Sequence, residues 1–184
     1  MKKIPTLFER DWIGDRTRVL NQIHPGCDWV LAGEGIATRK IDGTCCLIRD
    51  GVLYKRRERR QGEAAPAGFE LADTDAETGK SMGWLPVGDG PEDRWHREAF
   101  HGQPDGTYEL MGPKIQGNPD KLPEHVLIPH SLDALAFPGD PPPRSFDGLR
   151  DWLAGRDIEG IVFHHPDGRR AKIKLRDFGL KRPA

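Results

Sequence analysis

The sequence predicts an α+β domain built largely on antiparallel sheet, and three observations predict it. Glycine (22) and proline (16) are plentiful among 184 residues, which favours many turns over long helices. Short apolar runs with period-two alternation recur along the chain, and one stretch alone has clear helical periodicity. Two of the runs are joined by Asp50-Gly51, the strongest short-range hairpin signal. The length suits one domain with its own core, without disulfides or a structural metal.

In chain order, residues 15–21 are expected as a short helix or turn, and residues 29–31 and 36–39 as short strands. Residues 45–49 and 52–56 form the two arms of the hairpin. Residues 59–105 are rich in Gly, Pro and charge, with few periodic apolar positions. They are expected as a long irregular insertion of functional or mobile character, with Trp95-His96 stapling it. Residues 107–111 and 126–128 are expected as strands, and residues 137–144 as a Pro-rich connection. Residues 146–153 are the one good helix, capped by Ser145, with Leu149, Trp152 and Leu153 on one face. Residues 158–164 and 171–175 are strands joined by a turn at Pro166-Asp167-Gly168.

The formal net charge is -1, so bulk charge does not attach this chain to nucleic acid. Basic residues cluster locally at 55–60 and in the tail, which lets a surface bind phosphates. Three cysteines, Cys27 and the adjacent Cys45 and Cys46, provide neither a disulfide framework nor a CxxC pattern. Packing is the expected role of Cys45 and Cys46. With no signal-like N-terminus and no membrane-length apolar run, a cytoplasmic location is expected.

Four segments carry the chemistry. Lys40-Ile41-Asp42-Gly43-Thr44 stands between a strand and the hairpin. K-x-D-G alone is weak and also describes a surface turn. Glu109 lies in the strand that runs into Gly112-Pro113. In Glu159-Gly160-Ile161-Val162-Phe163, period two puts Glu159, Ile161 and Phe163 on one face, where a carboxylate beside an apolar platform suits a flat base and a cation. In Lys172-Ile173-Lys174-Leu175 the same alternation puts both lysines on one face and Ile173 and Leu175 in the core. Their ammonium groups then stand roughly 7 Å apart, able to grip one phosphate from two sides. His164-His165 is a poor metal site, because adjacent strand residues face opposite ways.

Together and in this order, the four segments resemble the covalent nucleotidyltransferase superfamily of ATP-dependent RNA ligases, DNA ligases and mRNA capping enzymes. Lys40-Ile41-Asp42-Gly43 matches its nucleophile motif. Glu109-Leu110-Met111-Gly112-Pro113-Lys114-Ile115-Gln116 is similar to the glutamate strand of RNA ligases. Glu159-Gly160-Ile161-Val162 and Lys172-Ile173-Lys174 match the metal and phosphate motifs. The stretch from His164 to Phe178 resembles a small RNA-ligase family.

The resemblance implies one antiparallel-sheet adenylation domain over residues 1–184, with no OB-fold or other C-terminal domain. It implies ATP with Mg²⁺ (or Mn²⁺) as cofactors. Lys40 would attack the α-phosphorus of ATP, Asp42 and Glu159 would hold the metal through water, and Lys172 and Lys174 would contact the α-phosphate. Glu109 would take a ribose hydroxyl, and Ile161 would pack under adenine. The backbone at Thr38 and Arg39 would read the adenine edge, and Arg57, slightly ahead of Arg56, would touch ribose or phosphate. His130 and Phe137 are the candidates for stacking on the base. The implied partner is RNA with 5′-phosphate and 3′-hydroxyl ends, with no membrane and no obligate protein partner. DNA or protein acceptors, or nucleotide binding without ligation, are the alternatives. An amine must be neutral to attack, and for a free lysine near pH 7 this costs about 4–5 kcal/mol. Nearby cations lower that cost. All of this requires the four segments to converge.

Overall fold

The structure, a computed structural model, describes residues 3–75 and 78–183. Its elements in chain order are β1 (Phe8–Arg10), β2 (Val19–Ile23), α1 (Asp28–Leu31), β3 (Ile36–Lys40), β4 (Thr44–Arg49), β5 (Val52–Arg59), β6 (Glu70–Thr74) and β7 (Ser81–Pro86). There follow α2 (Arg94–Ala99), β8 (Gly106–Met111), β9 (Val126–Pro129), α3 (Leu132–Leu135), α4 (Phe146–Leu153), β10 (Gly160–His164) and β11 (Arg170–Lys174). Strands outnumber helices and every strand-to-strand ladder is antiparallel, as an α+β chain of this kind requires. No helix among the described residues is long and apolar enough to cross a membrane.

The chain divides into two compact units. The first comprises Met1–Lys3 and Asp42–His130. It holds one six-stranded sheet in the order β6-β7-β5-β4-β8-β9. The β4–β5 hairpin turns through Asp50 (φ 52°) and Gly51 (φ 71°), the two positive φ values that a tight primed turn demands. The Asp105 carboxylate accepts from both of their backbone N–H groups, at 2.8 and 3.2 Å. One face of the sheet buries Cys46, Ile48, Leu53, Tyr108, Leu110 and Leu127. Cys45, Glu109 and Ile128 pair across the sheet and lie on the other face.

The stretch 59–105 differs from its expected irregularity. It contributes β6, β7 and α2, and β7 pairs with β5 from Tyr54 to Arg59. Gly83 and Pro86 hide the alternation here, because strand pairing supplies the order that composition lacks. Trp95 packs against the core of this unit and stacks on His125, with centroids 4.5 Å apart, so it does staple the segment.

The second unit comprises Ile4–Ile41 and Ser131–Ala184. It holds a three-stranded sheet ordered β11-β10-β3 and the β1–β2 pair. Its core gathers Leu7, Phe8, Val30, Leu149, Leu153, Ile161, Phe163, Ala171 and Ile173. Helix α4 is as expected: the Ser145 hydroxyl accepts from Gly148 N at 3.2 Å. Leu149 and Leu153 are buried, and Trp152 packs edge-on against Phe137. That contact commits Phe137 to packing. Residues 29–31 form part of the single-turn helix α1 instead of a strand. Three apolar residues are too few for periodicity to decide, and Trp29 and Val30 are both buried there. Near residues 15–21, a turn held by the Asp15 carboxylate (2.9 Å from Thr17 N) leads into β2.

Candidate active site

The central strand of the second unit's sheet, β10, pairs Gly160 with Lys40 on one side and with Lys174 on the other. Directly opposed residues of antiparallel strands share a face. Lys40 and Lys174 therefore point the same way, with a glycine between them. A Cβ at Gly160 would meet Ile173 O at 2.2 Å and Lys174 Cα at 2.8 Å, so only glycine permits this approach of β11. It also leaves the gap between the two lysines free of a side chain.

Glu159, one residue before the strand, fills that gap with its carboxylate. Lys40 Nζ donates to Glu159 Oε2 at 2.5 Å and to Ile41 O at 3.2 Å. Lys174 Nζ pairs with the other oxygen, Oε1. The side chains of Lys40, Glu159 and Lys174 are 20%, 12% and 15% exposed, low enough to strengthen the pairing and open enough to admit a ligand. Burial works to raise the Glu159 pKa, but the charges of Lys40 and Lys174 outweigh it and hold the acid below its ordinary value. The next row on the same face is Thr38–Val162–Lys172. Lys40, Lys172 and Lys174 thus share one sheet face with the Glu159 carboxylate, cations of the kind that grip a polyphosphate.

Thr38 is buried on this face. Its Oγ1 lies 2.9 Å from His164 Nε2 and 3.3 Å from Val162 O. His165 turns away, with Nε2 2.7 Å from Glu34 and Nδ1 2.7 Å from Asp167. The adjacent histidines diverge, as strand alternation requires.

Ile161 requires a correction. It pairs with Arg39 and Ile173 on the opposite face and is fully buried in the core with Phe163. Its side chain is not placed to pack under a nucleotide, and Val162 holds the position on the lysine face. The period-two count began at Glu159, but the strand begins at Gly160. Glu159 reaches the lysines by bending in from the strand's end.

Asp42, Glu109 and Arg57 belong to the first unit. Asp42 is half-buried at its start. Glu109 is buried in β8. Its Oε1 accepts from Gly43 N at 3.2 Å, and its Oε2 is 3.0 Å from His130 Nε2. Arg57 pairs with Gly83 and Arg56 with Trp84. Because Cys46 pairs with Lys55, alternation puts Arg56 on the face of Cys45 and Glu109, and Arg57 on the other. Arg57 is half-exposed and bound to Glu63 at 3.1 Å. The preference between the two arginines therefore reverses in favour of Arg56.

Sequence reasoning missed the surroundings of Glu109. Cys45 stands directly opposite it in the register, where burial and the Glu109 charge push its thiol up to about 11. Cys46 alone of the pair enters the core. Alternation across an adjacent cysteine pair was the available signal: one of the two must face away from the core.

A family model described as RNA ligase 1 matches residues 99–184. That span includes Glu109, Glu159, Lys172 and Lys174. The RNA ligase 1 of Danio rerio is 25% identical over 225 aligned residues, covering 80% of this chain and 68% of that protein. The RNA ligase 1 of Rattus norvegicus is 23% identical over 224, with the same coverage. The RNA ligase 1 of Pongo abelii is 37% identical over 82 residues, 40% of this chain and 24% of its own length. These matches bear out the resemblance to the RNA ligase family.

Proposed function

We propose that this chain, a relative of the RNA ligase 1 proteins, is the adenylation domain of an ATP-dependent RNA ligase that works through a lysyl-AMP intermediate on Lys40. The observation that carries the reading is the Lys40–Glu159–Lys174 bridge across Gly160. One amine stands at a strand end, with a second ammonium and an acid held against it.

In the first step Lys40 Nζ attacks the α-phosphorus of ATP. The N–P bond forms, the bond to the bridging oxygen breaks, pyrophosphate leaves, and the amine sheds its protons to solvent. Lys174 and Lys172 bind the phosphate oxygens and stabilise the charge that develops on them. In the structure the Lys40 amine is paired with the Glu159 carboxylate. The amine becomes a nucleophile only when Glu159 is drawn to another cation. The Glu159 carboxylate suits Mg²⁺, which would supply that cation and shield phosphate oxygens, and the family resemblance adds Asp42 as its second acid. Glu109, whose carboxylate already accepts from an N–H group, takes a ribose hydroxyl. AMP then passes to the 5′-phosphate of an RNA end. The 3′-hydroxyl of the other end attacks that phosphate, and AMP leaves.

The test is incubation with α-labelled ATP and Mg²⁺ or Mn²⁺. An acid-labile label on the chain is expected, absent in Lys40→Ala. Unchanged labelling of that variant would identify another nucleophile. Adding 5′-phosphorylated RNA or DNA then reads the acceptor. Discharge by RNA is expected, and discharge by DNA alone would overturn the RNA assignment.

A further inference from the structure

On the face of the first unit's sheet opposite its core, three side chains that differ in donor chemistry converge. Cys45 and Glu109 are register partners on β4 and β8. His130 follows the end of β9, and its N–H continues the ladder by donating to Thr107 O at 3.0 Å. Ile128 opposes Glu109, and two residues further His130 returns to the same face, on the diagonal, within reach of a long side chain. The thiol sulfur, a carboxylate oxygen and an imidazole nitrogen lie within 4.8 Å of one another. His130 Nε2 is already 3.0 Å from Glu109 Oε2, and its Nδ1 is buried without a hydrogen-bond partner. In a tetrahedral zinc site with bonds near 2.0–2.3 Å, donors stand roughly 3.3–3.7 Å apart. A small contraction brings these three to that spacing.

We propose that Cys45, Glu109 and His130 form a binding site for a thiophilic divalent cation of the Zn²⁺ class, and that its occupation withdraws Glu109 from nucleotide binding. One sulfur, one nitrogen and one oxygen donor match zinc and not magnesium, which takes oxygen ligands and keeps its waters. Thiolate and carboxylate together neutralise the dication. Arg56, which interacts with the Cys45 thiol, stands on the same face as a donor to the bound sulfur. Three protein ligands leave a fourth position open. The antagonism rests on the role given above to Glu109, whereas the cation site stands without it.

Cobalt(II) substitution in the reduced full chain tests the site directly. A near-ultraviolet thiolate-to-cobalt charge-transfer band is expected, with visible bands of tetrahedral intensity, both displaced by Zn²⁺ and unaffected by excess Mg²⁺. Cys45→Ser removes the charge-transfer band, and His130→Ala weakens binding, with circular dichroism confirming that each variant folds. No such band in the wild type, or a band that persists in Cys45→Ser, overturns the site. In a second arm, Zn²⁺ added to the Mg²⁺-dependent labelling reaction raises the apparent KM for ATP in the wild type and not in Cys45→Ser. Equal inhibition of both proteins overturns the antagonism. No labelling under Mg²⁺ alone would count against the adenylation reading, while the cobalt spectrum would still decide the site.

Discussion

Glu109 and Glu159 are both acids on a sheet face, one in each unit, and their neighbours differ in kind. Glu159 is bracketed by two ammonium groups, whereas Glu109 meets a thiol, an imidazole and a backbone N–H. The first setting is an ion triad of two cations and one acid, of a kind that suits a polyanion. The second is a hydrogen-bonding cradle of mixed donors, of a kind that suits a hydroxyl or a soft cation. The same side chain is thus assigned opposite work by what stands across the ladder from it.

The largest effect that would break this contrast lies in the triad. Lys174→Ala and Glu159→Gln are each expected to lower the rate of self-adenylation about 10²–10³-fold, the usual cost of losing a group that stabilises transition-state charge. Single-turnover labelling measures it. A loss below threefold in both would mean that the triad is only structural.

Ile161→Ala comes next. It should cost about 2–5 kcal/mol of stability by opening a cavity in the core, read from the urea midpoint. Val162→Ala, on the lysine face, should cost less and raise the KM for ATP. The reverse pattern would restore Ile161 to the nucleotide.

In the cradle the effects should be milder. Glu109→Gln keeps the shape and loses the charge, so the KM for ATP is expected to rise about tenfold, the worth of one hydrogen bond to a charged group. Arg56→Ala should shift the same KM, and Arg57→Ala should leave it unchanged. A shift in Arg57→Ala alone would put the functional side of β5 on the wrong face.

The smallest effect is in pH. Because the folded-state pKa of Glu159 lies below its ordinary value of 4.5, its contribution to stability is complete above that value. It is lost as pH falls through the lower folded value. The stability advantage of wild type over Glu159→Gln should therefore shrink on acidification below about pH 5. An advantage that grows instead would reverse the sign of the pairing.

Most of the strands were legible because their alternation is local. The Asp50-Gly51 hairpin, the Ser145-capped helix and the paired outward lysines of β11 follow from neighbours in the chain. The segment 59–105 was not legible, since β6 and β7 become strands through pairing with β5 and not through their own pattern. Ile161 was misplaced for a related reason. A period of two turns any one-residue error in the starting point into the opposite face.

By itself, then, the amino-acid order determined that the chain is rich in antiparallel strands, and it marked Lys40, Asp42, Glu109, Glu159, Lys172 and Lys174 as the candidate residues. Only the tertiary structure decided which face each strand presents, that Glu159 lies between two lysines across a glycine, and that Cys45 meets Glu109 and His130. Propensity and alternation act over a few residues, whereas these encounters also depend on register between segments as distant in sequence as Lys40 and Glu159 or Cys45 and Glu109, which long-range pairing and core burial select.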